Sequence, residues 1–339
     1  MKFLKNTFLT QLFAEKFNNI NTVSNGMVGI SMTSHNISMA HICGSGLSDI
    51  MVNSYRCVPT NDRQQQIEAL IEYVEEYQLI DFPCSYVLPI DKYVLGMIES
   101  PDVTENDKPE VVRLAVRDFV DYPIEEAVID VFPLPFKRID DNKEVSYAVI
   151  AHYKVIDDVA AIIKETGLRL KYIGIHELCL RNLAMLHAES NKGTLFLRLY
   201  ANGGHVVLVN GNTVFMTRRI DLPLRELFLE EINVTNEQKQ GNQQRTYELL
   251  EALTLDLQRS IDYCSGMFRQ SPINCIMLSP SEFVLNNISD FLAKHLGMIV
   301  HTLDLPGIMR FSRGISQLEQ ARCLLAIGAG LREITAVDI

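Results

Sequence analysis

The feature that most constrains the fold is a run of three short strand-like segments in residues 191–222. Two turn sequences, Asn-Gly-Gly at 202–204 and Asn-Gly at 210–211, separate the segments. Asn-Gly is a strong hairpin signal, because a type I′ turn requires positive φ at both of its central residues. We therefore predict a three-stranded antiparallel meander that opens a new lobe, with strands at residues 195–200, 205–209 and 214–220.

Length and composition exclude several classes of protein. The 339 residues, 47% of them hydrophobic, are enough for two domains or one divided body. A net charge of −11 without a basic run argues against nucleic-acid binding. The seven cysteines lack CxxC spacing and the eight histidines lack HxxxH spacing, so we expect reduced thiols and no metal site. No apolar stretch approaches the roughly 20 residues that cross a bilayer.

The first 25 residues are predicted to form a separate amphipathic segment. Its apolar residues recur at roughly helical spacing, and Lys2, Lys5 and Lys16 outnumber the single acidic residue, Glu15. Two interpretations are open: a helix packed on its own domain, or a helix that lies on a membrane surface or on a partner. In the second interpretation the residues that contact the membrane are Phe3, Leu4, Phe8, Leu12 and Phe13.

Residues 26–91 are predicted to form a β-β-β-α-β unit. Three strand patterns separated by turn residues suggest an antiparallel sheet, and Asn61 or Asp62 supplies an N-cap for the helix that follows. The predicted elements are strands 27–31, 37–43 and 50–58, helix 63–78 and strand 84–89.

Residues 92–168 are predicted to form a compact β-α-β-β-α subdomain. Gly167 follows its last helix and is the expected C-cap. The predicted elements are strand 93–99, helix 110–121, strands 127–134 and 145–151, and helix 157–166.

The remainder of the chain alternates strands with helices around the meander. The polar residues 233–244 are predicted to be mobile, and a stripe of leucines marks a long helix after them. The predicted elements are strand 170–175, helices 177–187, 224–232 and 245–268, strand 273–278, helix 283–296, strand 298–303 and a closing helix 316–328.

This order of elements resembles the PilM family of type IV pilus biogenesis, and three local runs sharpen the resemblance. They are VRDFVDYPIEEAVIDVFPL, IIKETGLRLKYIGIHELCLRNLAML, and LDLQRSIDYCSGMF followed by INCIMLS. The resemblance covers nearly all of the chain from Met27 to Arg332, and the divergent loops are most similar to members from mannose-sensitive haemagglutinin (MSHA) pilus systems. It implies an α/β, actin-like (ribonuclease H-like) fold of two lobes with an inserted β-α-β-β-α subdomain in the first lobe.

The resemblance also implies how the chain is divided. The inserted subdomain spans residues 92–168, and the second lobe spans 191–310. The first lobe is assembled from three parts of the chain, residues 26–91, 169–190 and 311–339, with residues 1–25 as the amphipathic segment that precedes it.

ATP-binding proteins of this fold carry an acidic residue and a lysine in the first hairpin and a second acidic residue in the other. Here Ser31 and Ser38 stand at the first two positions and Arg198 at the third. Mg²⁺ requires oxygen ligands such as carboxylates, so these changes predict a degenerate nucleotide site. The residues that remain to contact a nucleotide are Ser31, Thr33, Ser34, Gly203, Gly204 and Ser279.

The expected function is that of a non-enzymatic scaffold without a cofactor, cytoplasmic and peripheral at the inner membrane. In the family, the partner is a single-span inner-membrane protein, PilN, whose cytoplasmic tail docks beside the inserted subdomain. Two alternatives are open: an actin-like ATPase that uses ATP with Mg²⁺, and a domain of a type II secretion protein that continues into a membrane span. The candidate partner-binding residues are Tyr93, Val145, Val155, Val159 and Ile163.

Overall fold

The computed structural model describes residues 26–101, 103–104, 107–137, 142–187, 193–224, 236–267, 273, 275–282 and 287–335. The strands are β1 Met27–Met32, β2 Asn36–Gly44, β3 Ile50–Pro59, β4 Pro83–Val87, β5 Val94–Glu99, β6 Ala127–Lys137, β7 Glu144–His152, β8 Arg169–Gly174, β9 Thr194–Tyr200, β10 Gly203–Asn210, β11 Thr213–Ile220, β12 Cys275–Leu278, β13 Ile299–Thr302 and β14 Arg310–Phe311. The α-helices are α1 Arg63–Glu76, α2 Lys108–Val116, α3 Tyr153–Glu165, α4 His176–Ala184, α5 Asn236–Met267, α6 Ile288–Leu296, α7 Leu305–Ile308, α8 Gln317–Gly330 and α9 Arg332–Thr335.

The chain divides into two compact units. The first contains Met1–Cys179, Arg310–Arg313 and Leu325–Ile339, and the second contains Leu180–Met309 and Gly314–Leu324. Each unit has its own central sheet.

The sheet of the first unit has the order β14-β3-β2-β1-β4-β8. The strands β1, β2 and β3 form an antiparallel meander, whereas β4 and β8 extend the sheet in parallel on the other side of β1. Val28 in β1 pairs with His41 on one side and with Cys84 on the other. Helix α1 begins where Asp62 Oδ1 accepts the Gln65 amide at 2.9 Å, which confirms the predicted cap.

The sheet of the second unit repeats this order as β11-β10-β9-β12-β13. Its first three strands are the antiparallel meander predicted from the two Asn-Gly turns. The next two strands, β12 and β13, again run parallel to the first strand of the meander. Both units are thus built on one pattern, in which the third, second and first strands of a meander are followed by two parallel strands.

A third sheet, of order β5-β7-β6, is inserted in the first unit between β4 and β8. One face of this sheet packs on α2, where Ile98 and Ile150 meet Val112. The other face joins the main core of the unit through Val149 and Ala151. Both faces of the inserted sheet are therefore covered within its own unit.

Helix α8 packs directly on β1 because glycines remove the side chains between the two backbones. A Cβ on Gly29 would lie 1.8 Å from the carbonyl oxygen of Ala326 in α8. A Cβ on Gly330 in α8 would lie 2.4 Å from Ile42 Cγ1 in the neighbouring strand β2 and 3.4 Å from the carbonyl oxygen of Met27 in β1. The absence of side chains therefore permits a close approach at both positions.

Most predicted elements are confirmed, but several boundaries were wrong. Helix α2 ends at Val116 rather than at 121 and is followed by a single 3₁₀ turn at Arg117–Phe119. Helix α3 begins at Tyr153 rather than at 157, because the His152 ring caps it by accepting the Lys154 amide at 3.1 Å. Helix α5 begins at Asn236 rather than at 245, within the polar segment predicted to be mobile. The amphipathic segment 1–25 and nearly all of the predicted helix 224–232 lie outside the described residues.

Candidate functional site

A pocket of about 470 Å³ lies at the end of the inserted sheet, where β5 begins and β7 ends. Three short pieces of chain line it: residues 91–94 before and within β5, residues 118–122 after α2, and the junction of β7 with α3. All three belong to the first unit. We call this cavity the insertion pocket.

The walls of the insertion pocket are mainly apolar and aromatic. Phe119 and Val94 are the most exposed of these side chains, at 37% and 38%. A Cβ on Gly96 would lie 2.2 Å from the Phe119 ring, so the missing side chain leaves the space that the ring occupies on β5. The other apolar lining residues are Tyr93, Val120, Tyr122, Ile150 and Val155.

Tyr93 is held in the wall by a buried carboxylate. Its hydroxyl donates to Glu177 Oε2 at 2.7 Å and accepts the His176 amide at 3.3 Å. Burial, followed by the charge of Glu177, raises the pKa of Tyr93 well above its usual range. The tyrosine therefore acts as a hydrogen-bond donor that orients its ring, not as an ionisable group.

His152 is fixed at the junction between β7 and α3. Because Nδ1 accepts the Lys154 amide, the ring proton lies on Nε2, which donates to Glu126 Oε2 at 2.8 Å. The ring also lies 4.9 Å from that of Tyr122, measured between centroids. Both ring nitrogens are thus used within the chain.

Acidic groups dominate the charge of the pocket. Asp91, Asp118 and Asp121 line it together with one lysine, Lys92, whose Nζ lies 3.1 Å from Asp91 Oδ2. Burial and then the charge of Asp121 raise the pKa of Tyr122. The field inside the pocket therefore favours a cation over an anion.

The five predicted partner-binding residues are not equally accessible. Tyr93 and Val155 line the insertion pocket. Val145, Val159 and Ile163 are buried in the first unit, so their side chains do not form an accessible wall. The apolar pattern that made these three residues candidates for partner binding therefore reflects packing in the core.

The predicted nucleotide residues fall in both units: Ser31, Thr33 and Ser34 in the first, and Gly203, Gly204 and Ser279 in the second. Ser31 is buried in β1, and Ser34 is exposed in the turn that follows. The hydroxyl of Thr33 accepts the amides of His35 and Asn36, each at 3.2 Å. A phosphate loop offers such amides to its ligand, whereas here the turn uses them itself.

The glycines of the second hairpin serve strand packing. Gly203 has a φ of +150°, and a Cβ there would lie 2.1 Å from the Ile220 carbonyl oxygen. A Cβ on Gly204 would meet Leu199 Cδ2 at 3.0 Å. The space beside these glycines is therefore filled by Ile220 and Leu199 of the protein itself, not left open for a phosphate.

The loop after β12 is also closed by internal bonds. The buried Ser279 donates its amide to the Leu197 carbonyl at 2.9 Å and its hydroxyl to the Pro280 carbonyl at 3.2 Å. Glu282, in the same loop, pairs with Arg322 at 3.1 Å.

Within the described ranges, no three His, Cys, Asp or Glu side chains gather closely enough to hold a metal ion. In the same ranges, no helix is both long and apolar enough to cross a bilayer.

Sequence reasoning missed the acidic and aromatic residues of the insertion pocket. Asp118, Phe119, Asp121 and Tyr122 all belong to the run VRDFVDYPIEEAVIDVFPL. The run carries part of the family resemblance, which assigns these four side chains no role at a binding site. Two aromatic residues and two carboxylates within five positions were the available signal.

Comparison with solved structures identifies the fold. The chain matches a chain of the PilM–PilN type IV pilus biogenesis complex with a TM-score of 0.67 and 18% identity, over 91% of this chain and 98% of that one. It also matches the cytoplasmic domain of EpsL, an inner-membrane component of the Vibrio cholerae type II secretion system, with a TM-score of 0.45 and 11% identity, over 89% and 94%. A Bacteroides thetaiotaomicron protein with an actin-like ATPase fold matches with a TM-score of 0.45 and 8% identity, over 91% and 99%. No family model matches the chain, and no curated protein matches its sequence. The repeated strand order and the fold match together show that the chain has an actin-like fold.

Proposed function

We propose that this protein is a scaffold of a type IV pilus assembly platform, of the MSHA type, and that it docks the cytoplasmic tail of a single-span, PilN-like inner-membrane protein. It acts at the cytoplasmic face of the inner membrane and catalyses no reaction. The single observation that carries the proposal is the match to the PilM–PilN complex, which spans 91% of this chain and 98% of the matched one.

The insertion pocket is the proposed docking site. An extended peptide binds through backbone hydrogen bonds and through pockets for its side chains. Strand β5 begins at the pocket and, among the strands that the structure describes, pairs with β7 on one side only. A tail that follows β5 places a side chain in the pocket between Phe119 and Val155.

With the docking site placed at the insertion pocket, each part of the chain has a proposed role. In the proposal, residues 92–168 form the docking subdomain on a first lobe made of 26–91, 169–190 and 311–339, and residues 191–310 form the second lobe. The internal bonds of Thr33 and Ser279 support a nucleotide site that has lost its function.

Docking is tested by titrating a labelled tail peptide of the PilN-like protein into full-length protein. Deletion of residues 92–168 is unsuitable, because Val149 and Ala151 belong to the main core. Phe119→Ala removes a pocket wall and is expected to weaken binding about tenfold. Leu114→Ala is the matched control, since Leu114 is 67% exposed in α2 and does not line the pocket. Equal loss or no loss in the two variants would exclude the pocket as the docking site.

The nucleotide interpretation is tested by calorimetry with millimolar MgATP. We expect no saturable binding, because the Thr33 and Gly203 turns are occupied by their own chain. Micromolar binding that Ser34→Ala weakens would instead support the ATPase alternative.

Residues 1–25 are proposed to hold the protein at the membrane surface. Phe3, Leu4, Phe8, Leu12 and Phe13 supply the apolar face of the proposed helix. The full chain should sediment with anionic liposomes, and Phe8→Asp combined with Phe13→Asp should abolish sedimentation. Failure of the unaltered chain to sediment would argue for a helix packed on protein.

A further inference from the structure

We propose that the insertion pocket selects a tail with a lysine or arginine next to an apolar residue. The inference rests on the proposed docking function and deepens it, because it specifies the chemistry of the ligand. The observation that carries it is the juxtaposition of two unpaired carboxylates, Asp118 and Asp121, with the aromatic rings of Phe119 and Tyr122 around one cavity.

The two carboxylates are available to a ligand. Both are exposed, and neither has an ion-pair or hydrogen-bond partner within the part of the chain that the structure describes. Asp91, the third acid of the pocket, is neutralised by Lys92 at 3.1 Å. Two negative charges therefore remain at the pocket without a countercharge from its lining.

The histidine of the pocket is engaged by other groups of the chain. His152 donates through Nε2 to Glu126 at 2.8 Å and accepts the Lys154 amide through Nδ1. With both nitrogens engaged, its ring forms a fixed wall facing Tyr122.

The walls favour a cation that is attached to an apolar body. The aliphatic stems of lysine and arginine pack on aromatic and aliphatic surfaces while their charged ends reach carboxylates. The faces of Phe119 and Tyr122 also attract a cation by cation–π interaction. An acidic or phosphorylated segment meets like charge in the same place.

Three versions of the labelled tail peptide test the selection. They carry arginine, glutamine or glutamate beside the apolar residue and are titrated into full-length protein at low salt. We expect the arginine version to bind about threefold to tenfold more tightly than the glutamine version, the range for one or two exposed charge pairs. The glutamate version should bind more weakly still, and 0.5 M NaCl should reduce these differences.

The matched variants separate a local effect from net charge. Asp118→Asn with Asp121→Asn should remove the preference for arginine and leave the affinity for the glutamine version unchanged. Glu72→Gln with Glu75→Gln makes the same charge change at two exposed positions in α1 and should retain the preference.

The outcomes distinguish this inference from the docking proposal. If the three peptides bind equally, or if both double variants keep the preference for arginine, the inference is wrong although docking stands. If no version binds the unaltered protein, the docking proposal is wrong, and this inference, which rests on it, is wrong as well. Equal melting temperatures of the variants exclude unfolding as the cause, as expected for exposed side chains.

Discussion

The first hairpins of the two units have the same place in the strand order but are closed by opposite means. After β1, the turn is closed by side chains: Thr33 accepts two amides, and Gln66 Nε2 donates to the Thr33 carbonyl at 2.7 Å. After β9, the turn is closed by the lack of a side chain at Gly203, which lets it pack against Ile220. A shared topology places a turn, but local chemistry decides whether its amides are free for a ligand.

The units also differ in what joins their parallel strands. In the first unit the inserted sheet lies between β4 and β8, whereas in the second unit α6 is the helix between β12 and β13. The insertion pocket exists because the inserted sheet returns to the body of the first unit through α3. The first unit thus carries this pocket on its repeated core as a consequence of the insertion.

The largest expected effect concerns the glycine of β1. Gly29→Ala places a methyl group 1.8 Å from a backbone oxygen of α8, which no rotamer change can relieve. We expect the free energy of unfolding to fall by about 3 kcal/mol or more, measured by urea denaturation. Gly46→Ala, which has no atom within 4 Å of the added carbon, is the control. Similar stability of both variants would mean that α8 is not held against β1.

The second hairpin should be less sensitive than this. Gly203→Ala combines an unfavourable φ of +150° with a contact of 2.1 Å at the edge of a turn that can shift. We expect a loss of about 2–3 kcal/mol by the same measurement. Gly266→Ala, in helix α5 with open space around it, should instead be neutral or slightly stabilising. A Gly203→Ala protein of unchanged stability would show that strand packing does not require this glycine.

Periodicity and turn residues predicted the sheets well, because strand alternation and Asn-Gly turns are local signals. The meander at β9–β11 and the antiparallel β1–β3 sheet are examples. The position of the α3 N-terminus was missed because histidine is an unusual cap. Its use depends on Glu126, which is 26 positions away in sequence.

The candidate site was harder to predict than the fold. An apolar residue in a strand can face a core or a groove, and no local rule separates the two. Val145 and Val159 proved to be core, whereas Tyr93 lines the pocket. The acidic residues at 118 and 121 became significant only when the structure placed them at one cavity with Tyr93.

A half-buried acid in the inserted sheet, Asp130, should give the first unit a pH dependence. Burial raises the pKa of Asp130 to about 6, although the charge of Arg332 opposes the shift. Because the folded pKa exceeds the unfolded value of about 3.9, the native state binds more protons between pH 4 and 6, and its stability falls as pH rises through that window. Asp130→Asn should remove the decline and gain about 2 kcal/mol at pH 7, measured by denaturation across pH 4–7. An unchanged pH profile in the variant would assign the dependence to another group.

The smallest effect should come from the side-chain closure of the first turn. Thr33→Val keeps the shape of the residue but removes the oxygen that accepts the His35 and Asn36 amides. Both amides lie at an exposed turn where water can replace the hydroxyl, so we expect a loss of only about 1 kcal/mol. Thr33→Ser, which retains the oxygen, is the control.

The same variant also tests nucleotide binding. If Thr33→Val created measurable binding of MgATP, the hydroxyl would be blocking a competent phosphate turn, and the two hairpins would differ in regulation as well as in packing. Calorimetry on the variant decides this point, and we expect no binding because neither hairpin has the carboxylate that a metal-bound nucleotide requires.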